Sequence, residues 1–296
     1  MLPHHFIRLL FVSLVLAQGC SVAVAPLELH TRKRLPMVTS GGFRAVTETV
    51  RWEAHKTALV ICDMWDDHWC KSASRRVAEM AGPMNAAVEA ARARGIFIIH
   101  APSTTVAPYE GRPARERAKN APFVKPPQAL SEKARWGTAW CWPDPEREPG
   151  MPIDDSDMGC DCAKKCTIRQ AWSRQIDTIR IHDADAITDN GQETYNLLEQ
   201  RGIDNVILMG VHLNMCVLGR PFGIRQMVNL GKNVVLVRDL TDTMYDPRMA
   251  PKVDHFSGTE LVVEHIEAHW CPSITSGDLA GGEPFRVRGD KRNKRY

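Results

Sequence analysis

Residues 206–218 constrain the fold of this chain more than any other segment. An apolar run of strand length ends at Gly210, and Cys216 follows after a short connection. Residues 224–230 continue with apolar positions at helical spacing, which predicts a thiol near a helix N-terminus, where free N–H groups and the helix dipole favour a thiolate. This arrangement suits a nucleophile, and the alternative role for Cys216 is that of a small buried hydrophobic side chain.

The composition favours a globular protein that acts on small molecules. The 296 residues, 44% hydrophobic and 25% charged, are enough for one sizeable domain with long loops. The 38 basic and 35 acidic residues leave a net charge of only +3, so no strong field would attract nucleic acid. Residues 279–296 form a basic C-terminal tail that is expected to be a solvated chain end.

An export signal is predicted at residues 1–25. Arg8 precedes an apolar run that is too short to span a bilayer. Two processing sites stay open, because cleavage after Ala25 fits a secretory signal, whereas cleavage before Cys20 fits a lipoprotein signal and would leave a lipid anchor there. The protein is therefore expected to be exported, as a periplasmic, membrane-anchored or secreted protein, and residues 26–54 are expected to form an N-terminal extension.

Export changes how the remaining cysteines are interpreted, because an oxidising compartment favours disulfides. Cys62 lies in an apolar strand and is expected to be a buried hydrophobe. Six others are candidates for disulfides or for a metal or redox site: Cys70, Cys141, Cys160, Cys162, Cys166 and Cys271. The C-x-C-x3-C spacing at 160–166 is not that of a standard zinc knuckle, so disulfides are favoured and metal binding by Cys160, Cys162 and Cys166 is the alternative.

Residues 55–278 are predicted to form one α/β domain. Short apolar strands, of the kind buried in parallel sheets, alternate with segments whose apolar positions recur at helical spacing. The predicted strands are 57–62, 96–100, 178–182, 205–209, 233–237 and 273–275, and the predicted helices are 72–94, 192–201, 217–230 and 258–268. Pro83 is expected to break or kink the first helix.

An insert at residues 101–176 separates two of these strands and is rich in Pro, Trp and Cys. It is far longer than an ordinary connection between a strand and a helix. Ligands in an open α/β sheet bind beyond the carboxyl ends of the strands, so the insert is in a position to arch over such a site. Trp136, Trp140 and Trp142 either line that pocket or form a satellite core.

Asp63 is the second candidate for chemistry, because it stands at the carboxyl end of the first apolar strand. A carboxylate there is partly desolvated and can exchange a proton with a thiol on a neighbouring strand-to-helix turn, as acyl transfer through cysteine requires. A helix cap is the alternative, but the co-occurrence with Cys216 favours a functional role. Trp65, close behind, is a candidate pocket residue.

The strand that ends at Asp63, the segment 202–217 and the strand that ends at Asp239 together resemble the isochorismatase-like cysteine hydrolases, over residues 55–275. The resemblance implies a doubly wound, mostly parallel six-stranded sheet with helices on both faces, and self-association into a homo-oligomer. It implies that Cys216 attacks an amide carbonyl to form a thioester, which water then hydrolyses, while Asp63 acts as the acid/base. No cofactor is required for this chemistry.

The same resemblance implies the surroundings of the nucleophile. Backbone N–H groups of the turn that ends in Met215 and Cys216 would stabilise the oxyanion. A cis peptide bond between Val211 and His212 would shape this turn.

Two departures from the family pattern affect the expected activity. The family has a catalytic lysine just after its third strand, where this chain has an acidic stretch that ends at Asp189, a candidate pocket residue. Lys119 and Lys125 of the insert are candidate replacement cations. Leu213 stands where relatives carry a small hydroxyl residue. The predicted function is hydrolysis of a small amide or a related C–N bond, with a catalytically inactive binding protein as the alternative.

A metal site is a separate question, since nicotinamidases of this family hold a metal near the substrate. Asp67 and His68 follow the first strand, and His100 ends the second. These three residues are the candidates for a comparable site, and capping or surface roles are the alternative.

Overall fold

The computed structural model describes residues 25–38 and 41–292. Cys20 and the apolar run before it lie outside these residues, so export and lipid attachment stay predictions. None of the described helices is both long and apolar enough to cross a membrane.

One sheet of eight strands organises the fold, and a separate two-stranded hairpin lies in the insert. The strands, in chain order, are β1 (Leu27–Pro36), β2 (Phe43–Trp52), β3 (Thr57–Cys62), β4 (Phe97–Ala101), β5 (Ala134–Arg135), β6 (Thr138–Ala139), β7 (Ala186–Ile187), β8 (Asn205–Val211), β9 (Asn233–Asp242) and β10 (Ser273–Ile274). The spatial order in the large sheet is β2-β1-β10-β9-β8-β3-β4-β7. Its six strands from β10 to β7 are mutually parallel, whereas β1 and β2 run antiparallel at one edge.

Helices cover both faces of the sheet. They are α1 (Lys71–Ala93), α2 (Pro113–Lys119), α3 (Gly191–Gln200), α4 (Ile224–Asn229), α5 (His255–His269) and α6 (Gly277–Ala280). Successive side chains of a strand point to opposite faces, so β3 contributes to two cores. Ala58 and Val60 belong to the core that contains residues of α3, α4 and α5, while Leu59 and Ile61 belong to the core with α1 and α6. The expected α/β fold with a mostly parallel sheet is confirmed.

The sheet has eight strands because residues 26–54 are not a free extension. β1 and β2 pair along their whole length, and β1 joins the sheet at Arg32, opposite Ser273. The Arg32 guanidinium also donates to Glu260 and Glu267 of α5, each at 2.7 Å. This hairpin therefore packs as part of the domain, and the six-strand expectation holds only for the parallel portion.

One further prediction about local structure is wrong, and the expected break of the first helix at Pro83 does not occur. Residues 178–182 are irregular backbone without a strand, and the edge of the sheet next to β4 is β7 instead. In this segment the Arg180 N–H donates to the Asn85 side chain and the His182 N–H donates to Asp185, so the backbone is satisfied without a strand partner. Helix α1 continues through Pro83, which lies on its half-exposed side, where the carbonyl that loses its partner can face water.

Gly210 allows β8 to lie close enough to β3 to position the segment that follows. Its φ is +115°, in the region that favours glycine. A Cβ at this position would lie 2.0 Å from the carbonyl oxygen of Cys62, a backbone atom that cannot move aside. The spacing of the two central strands therefore requires a residue without a side chain.

We expect Gly210→Ala to lower the free energy of unfolding by about 3 kcal/mol or more, because the backbone clash adds to the cost of a positive φ. Gly231→Ala is the matched control, since its φ is also positive, at +78°, and its Cβ would meet nothing within 4 Å. That control should lose only about 1–2 kcal/mol. Urea denaturation of both variants measures the difference, and equal losses would show that the clash is relieved by a shift of β8.

Candidate active site

The candidate nucleophile lies in a π-helical turn directly after the central strand β8. This turn spans Leu213–Val217, and Cys216 is buried within it. The peptide bond between Val211 and His212 is cis, as expected. Helix α4 begins only at Ile224, so the helix predicted over 217–230 is interrupted and its N-terminus does not lie at the thiol.

Asp63 lies beside this turn because β3 and β8 are neighbours in the sheet. The carboxylate is completely buried, and the residue has a φ of +48°, which turns the chain sharply at the end of β3. Its Oδ1 accepts a hydrogen bond from the Ser103 N–H at 2.7 Å. The Asp63 carboxylate is also within hydrogen-bonding range of the Cys216 thiol, as a proton acceptor for the thiol must be.

Arg220 is the positively charged residue beside Cys216 and Asp63. It is only 2% exposed, and its Nε lies 3.3 Å from Asp63 Oδ2. The guanidinium also interacts with the Cys216 sulfur. Its Nη1 donates to the carbonyl of Trp136 at 3.0 Å and to Thr138 Oγ1 at 2.5 Å, both in the insert. A single guanidinium thus joins Cys216, Asp63 and the insert.

Burial and the charge of Arg220 determine the protonation of Cys216 and Asp63 in the absence of substrate. Burial raises the pKa of Cys216 to about 12; the nearby Arg220 charge acts against this rise, and Asp63 adds to it. Burial also raises the pKa of Asp63, and the Arg220 charge again opposes the shift. The expected activation of the thiol by a helix dipole is therefore wrong, and Arg220 is the group that stabilises a thiolate here.

The insert builds the wall behind Arg220. Trp140 is buried against Gly219, where an added Cβ would lie 2.2 Å from the indole ring. Trp136 meets Trp140 edge to face, with 5.1 Å between ring centroids. Trp142 is 41% exposed, so the three tryptophans do not act together. Trp136 lines the cavity, Trp140 packs behind it, and Trp142 lies at the surface.

A cavity of about 380 Å³ opens over Cys216 and Arg220. It is lined mainly by aromatic and apolar side chains, which include Trp65, Trp136, Trp172, Met215 and Met244. Trp65 and Trp172 stack with 4.4 Å between their ring centroids, and the His68 ring lies nearly parallel to both, 5.5 Å from Trp172 and 6.2 Å from Trp65. A larger depression lies at the edge of the sheet near Leu27 and Asp278, but it contains neither Cys216 nor Asp63.

Several predicted residues have other roles. The Met215 N–H donates to the His212 carbonyl at 3.0 Å, so this expected oxyanion donor is already engaged within the turn. Asp189 does not line the cavity, and its Oδ2 accepts from the Thr104 N–H at 2.7 Å, which fixes the loop after β4. Lys119 pairs with Glu110 at 2.6 Å, and Lys125 is exposed, so neither replaces the family lysine.

The three candidate metal ligands do not come together. Asp67 binds the Lys71 ammonium at 2.6 Å and accepts from Ser74. His100 is buried between Gln175 and Asp185, at 3.0 and 3.1 Å. Among the described residues, the group of His, Cys, Asp or Glu side chains with the spacing for a metal is instead Cys70, Cys160 and Cys162.

Arg220 is the functional residue that the sequence patterns did not reveal. Its signal is local, because a cation four residues after Cys216 falls on the same side of a helical turn as the thiol. The family pattern points instead to a cation near the third strand, where relatives have their lysine, and the insert offers other candidates. In the folded chain the cation comes from the segment directly after the turn that holds Cys216.

Comparison with known proteins gives similarity of fold only. No family model and no curated protein matches the chain. Similar solved structures include a cysteine hydrolase from Pseudomonas syringae pv. phaseolicola, with a TM-score of 0.47 at 15% identity over 78% of this chain and 94% of that one. Another is an isochorismatase family protein from Burkholderia thailandensis, with a TM-score of 0.42 at 16% identity over 76% and 94% of the two chains. At such low identity and TM-score, neither assigns a function to this chain.

We expect Arg220→Gln to slow alkylation of Cys216 at about pH 8 by tenfold or more, because loss of the cation raises the thiol pKa further. Arg225→Gln is the matched control, since Arg225 is equally buried in an ion pair with Glu148, at 2.6 Å, but does not line the cavity. Alkylation followed by peptide mass spectrometry measures both. Equal slowing in the two variants would mean that loss of a buried ion pair, and not the charge of Arg220, changes the thiol.

His212 is expected to stay neutral at physiological pH, because burial, together with the nearby His68, holds its pKa well below 6.5. The unfolded chain binds a proton on this histidine near pH 6.5, so the free energy of unfolding should fall as the pH drops below that value. His212→Asn should make that fall shallower. NMR of the imidazole carbons checks the prediction directly, and titration of the His212 ring near neutral pH in the folded protein would contradict it.

Proposed function

We propose that this chain is a cysteine hydrolase that cleaves a small amide, or a related C–N bond, through a thioester on Cys216. The observation that supports this function is the convergence of Cys216, Asp63 and Arg220 at one end of an aromatic cavity. A nucleophile, a proton acceptor and a fixed positive charge are the three groups that acyl transfer through cysteine needs.

Formation of the thioester begins with a substrate carbonyl above Cys216. Because the resting thiol is protonated, its proton has to pass to Asp63 as sulfur attacks the carbonyl carbon. Arg220 stabilises the sulfur while it carries negative charge, and because it is held by Trp136 and Thr138 it needs no reorganisation to do so. The tetrahedral intermediate then collapses, and Asp63 returns the proton to the leaving nitrogen.

Hydrolysis of the thioester uses the same groups in reverse. Once the amine has left, a water molecule enters the cavity and attacks the thioester carbonyl while Asp63 accepts its proton. The carboxylic acid departs, and the proton on Asp63 restores the Cys216 thiol. The net reaction consumes one water and releases one acid and one amine or ammonia.

The cavity favours a small, flat acyl group. Its volume of about 380 Å³ lies at the lower end of ligand pockets. The stacked rings of Trp65 and Trp172 present parallel aromatic surfaces, and Trp136 closes another side. Aromatic and short unsaturated amides fit this lining better than cationic or extended substrates, because none of the described residues that line the cavity is a carboxylate that could pair with a cation.

We expect Cys216→Ala and Asp63→Asn each to lower kcat by about 10³-fold or more on any amide that the protein hydrolyses. Cys216→Ala has no thiol to alkylate at this position, whereas in Asp63→Asn the loss of the carboxylate charge should lower the pKa of Cys216 and speed its alkylation. Cys271→Ala is the matched control, because this thiol is also buried but does not line the cavity and has Glu267 and Arg147 as its charged neighbours. Ammonia release from a panel of aromatic and aliphatic amides, together with alkylation rates, provides the test.

Two results would contradict the hydrolase proposal. One is hydrolysis that persists in Cys216→Ala, which would place the reaction elsewhere. The other is saturable binding of amides by the wild type without any ammonia release, which would make the chain a binding protein with the same cavity.

A further inference from the structure

Four cysteines lie together at the start of α1, apart from the cavity. Cys70 immediately precedes this helix, and Cys160, Cys162 and Cys166 come from the insert. The Sγ atoms of Cys70, Cys160 and Cys162 are all within 4.8 Å of one another. The Cys162 sulfur is 4.0 Å from that of Cys70 and 3.6 Å from that of Cys166. Tertiary structure thus adds a fourth thiol to the three that the sequence placed together.

The distances between the sulfur atoms distinguish a pair of disulfides from a metal site. A disulfide requires about 2.0 Å between sulfurs. Four thiolates around a zinc ion, each about 2.3 Å from the metal in a tetrahedron, lie about 3.8 Å apart. The two separations from the Cys162 sulfur, 3.6 Å to Cys166 and 4.0 Å to Cys70, fall on either side of that value, while Cys166 lies outside the group of three sulfurs that are all within 4.8 Å of one another. None of the eight described cysteines is in a disulfide, so the expected disulfide framework is not seen.

The surroundings of the cluster suit thiolates. The first turn of α1 directs backbone N–H groups at two of the sulfurs, that of Ser72 to Cys162 at 3.3 Å and that of Lys71 to Cys166. The Ser72 hydroxyl is 3.1 Å from the same Cys162 sulfur. These donors stand at the positive end of a helix of 23 residues, where the dipole favours negative charge. Hydrogen bonds of this kind orient metal ligands and tune their basicity.

Other contacts hold the cysteine segment of the insert against the rest of the domain. Arg248 donates to the carbonyls of Cys160 and Cys162, at 3.2 and 3.1 Å. Asp161, between these cysteines, pairs with Arg76 of α1 at 2.8 Å. The sulfurs are therefore brought together by contacts that do not themselves require a bond between them.

We propose that Cys70, Cys160, Cys162 and Cys166 bind one zinc ion in a closed, structural four-thiolate site. A full set of four protein ligands leaves no position for water or substrate, which is the property of structural zinc sites and not of catalytic ones. None of the four lines the cavity over Cys216. The zinc ion would therefore take no part in the chemistry of the proposed hydrolase reaction.

Zinc binding would fix one wall of the cavity. Ile168, Arg169, Gln170 and Trp172 all line the cavity and follow closely after Cys166. The ion would tie the start of this segment to α1, so that the stack of Trp172 on Trp65 keeps its place. Loss of zinc should therefore loosen the aromatic wall while it leaves Cys216, Asp63 and Arg220 in contact.

The test is the metal content of the full-length mature protein, purified under reducing conditions with zinc present and without chelator. We expect one zinc per chain in the wild type. Cys162→Ser should lose it, whereas Cys141→Ser, a substitution at a buried cysteine outside the cluster, should retain it. Cobalt added to chelator-treated wild type should produce the visible absorption of a tetrahedral cobalt thiolate.

A second measurement requires no variant and so does not depend on whether Cys162→Ser folds. Bound zinc should protect the four cluster cysteines, and not Cys141, from alkylation in the wild type, with protection lost on chelation. Three results would overturn the proposal: no bound metal with the mass loss of two disulfides, no bound metal with four reactive thiols after zinc is added, or iron with inorganic sulfide in place of zinc. Because none of these readouts uses amide hydrolysis, they are separate from the test of the hydrolase.

Discussion

The buried ion pair between Asp63 and Arg220 is the interaction on which the candidate site depends. Both side chains are at most 2% exposed, and removing two charges from water costs several kcal/mol per ion unless each is paired and hydrogen-bonded. Asp63 gains the Ser103 N–H, and Arg220 gains acceptors at Trp136 and Thr138. Because those acceptors belong to the insert, the sheet alone could not bury this pair. The insert is thus part of the site and not an addition to its surface.

Arg220 also supplies a positive charge in place of the lysine that the resemblance led us to expect after the third strand. A guanidinium stays charged when it is buried and can donate in several directions at once, whereas a lysine offers one compact charge that burial readily neutralises. Directly after the turn that holds Cys216, it reaches Cys216 and Asp63 together. The positive charge beside Cys216 therefore comes from a different part of the chain than the third strand, where the resemblance led us to expect it.

The insert is attached to the domain at two separated places. At one end, Trp140 packs on Gly219, and the hairpin of β5 and β6 surrounds Arg220. At the other, the cysteines of 160–166 meet the start of α1, and Asp161 pairs with Arg76. Between these two places, the Asn214 side chain donates a hydrogen bond to Asp155 of the insert at 2.7 Å. A long connection held at several points can form a wall of fixed shape, which is what a selective cavity over a buried nucleophile requires.

The sequence by itself determined the central parallel strands and the two residues at their carboxyl ends. β3, β8 and the first half of β9 contain continuous apolar runs. This signal is local, so the pattern of residues alone places Asp63 and Cys216 at one edge of the sheet. Tertiary structure alone decided the roles of Arg220 and Cys70 and the docking of the hairpin β1–β2. These features depend on which distant segments of the chain meet. The path of the insert determines those meetings, and the insert has no periodic pattern from which its path could be predicted. Short strands such as β7, with two residues, are likewise defined only by their neighbours.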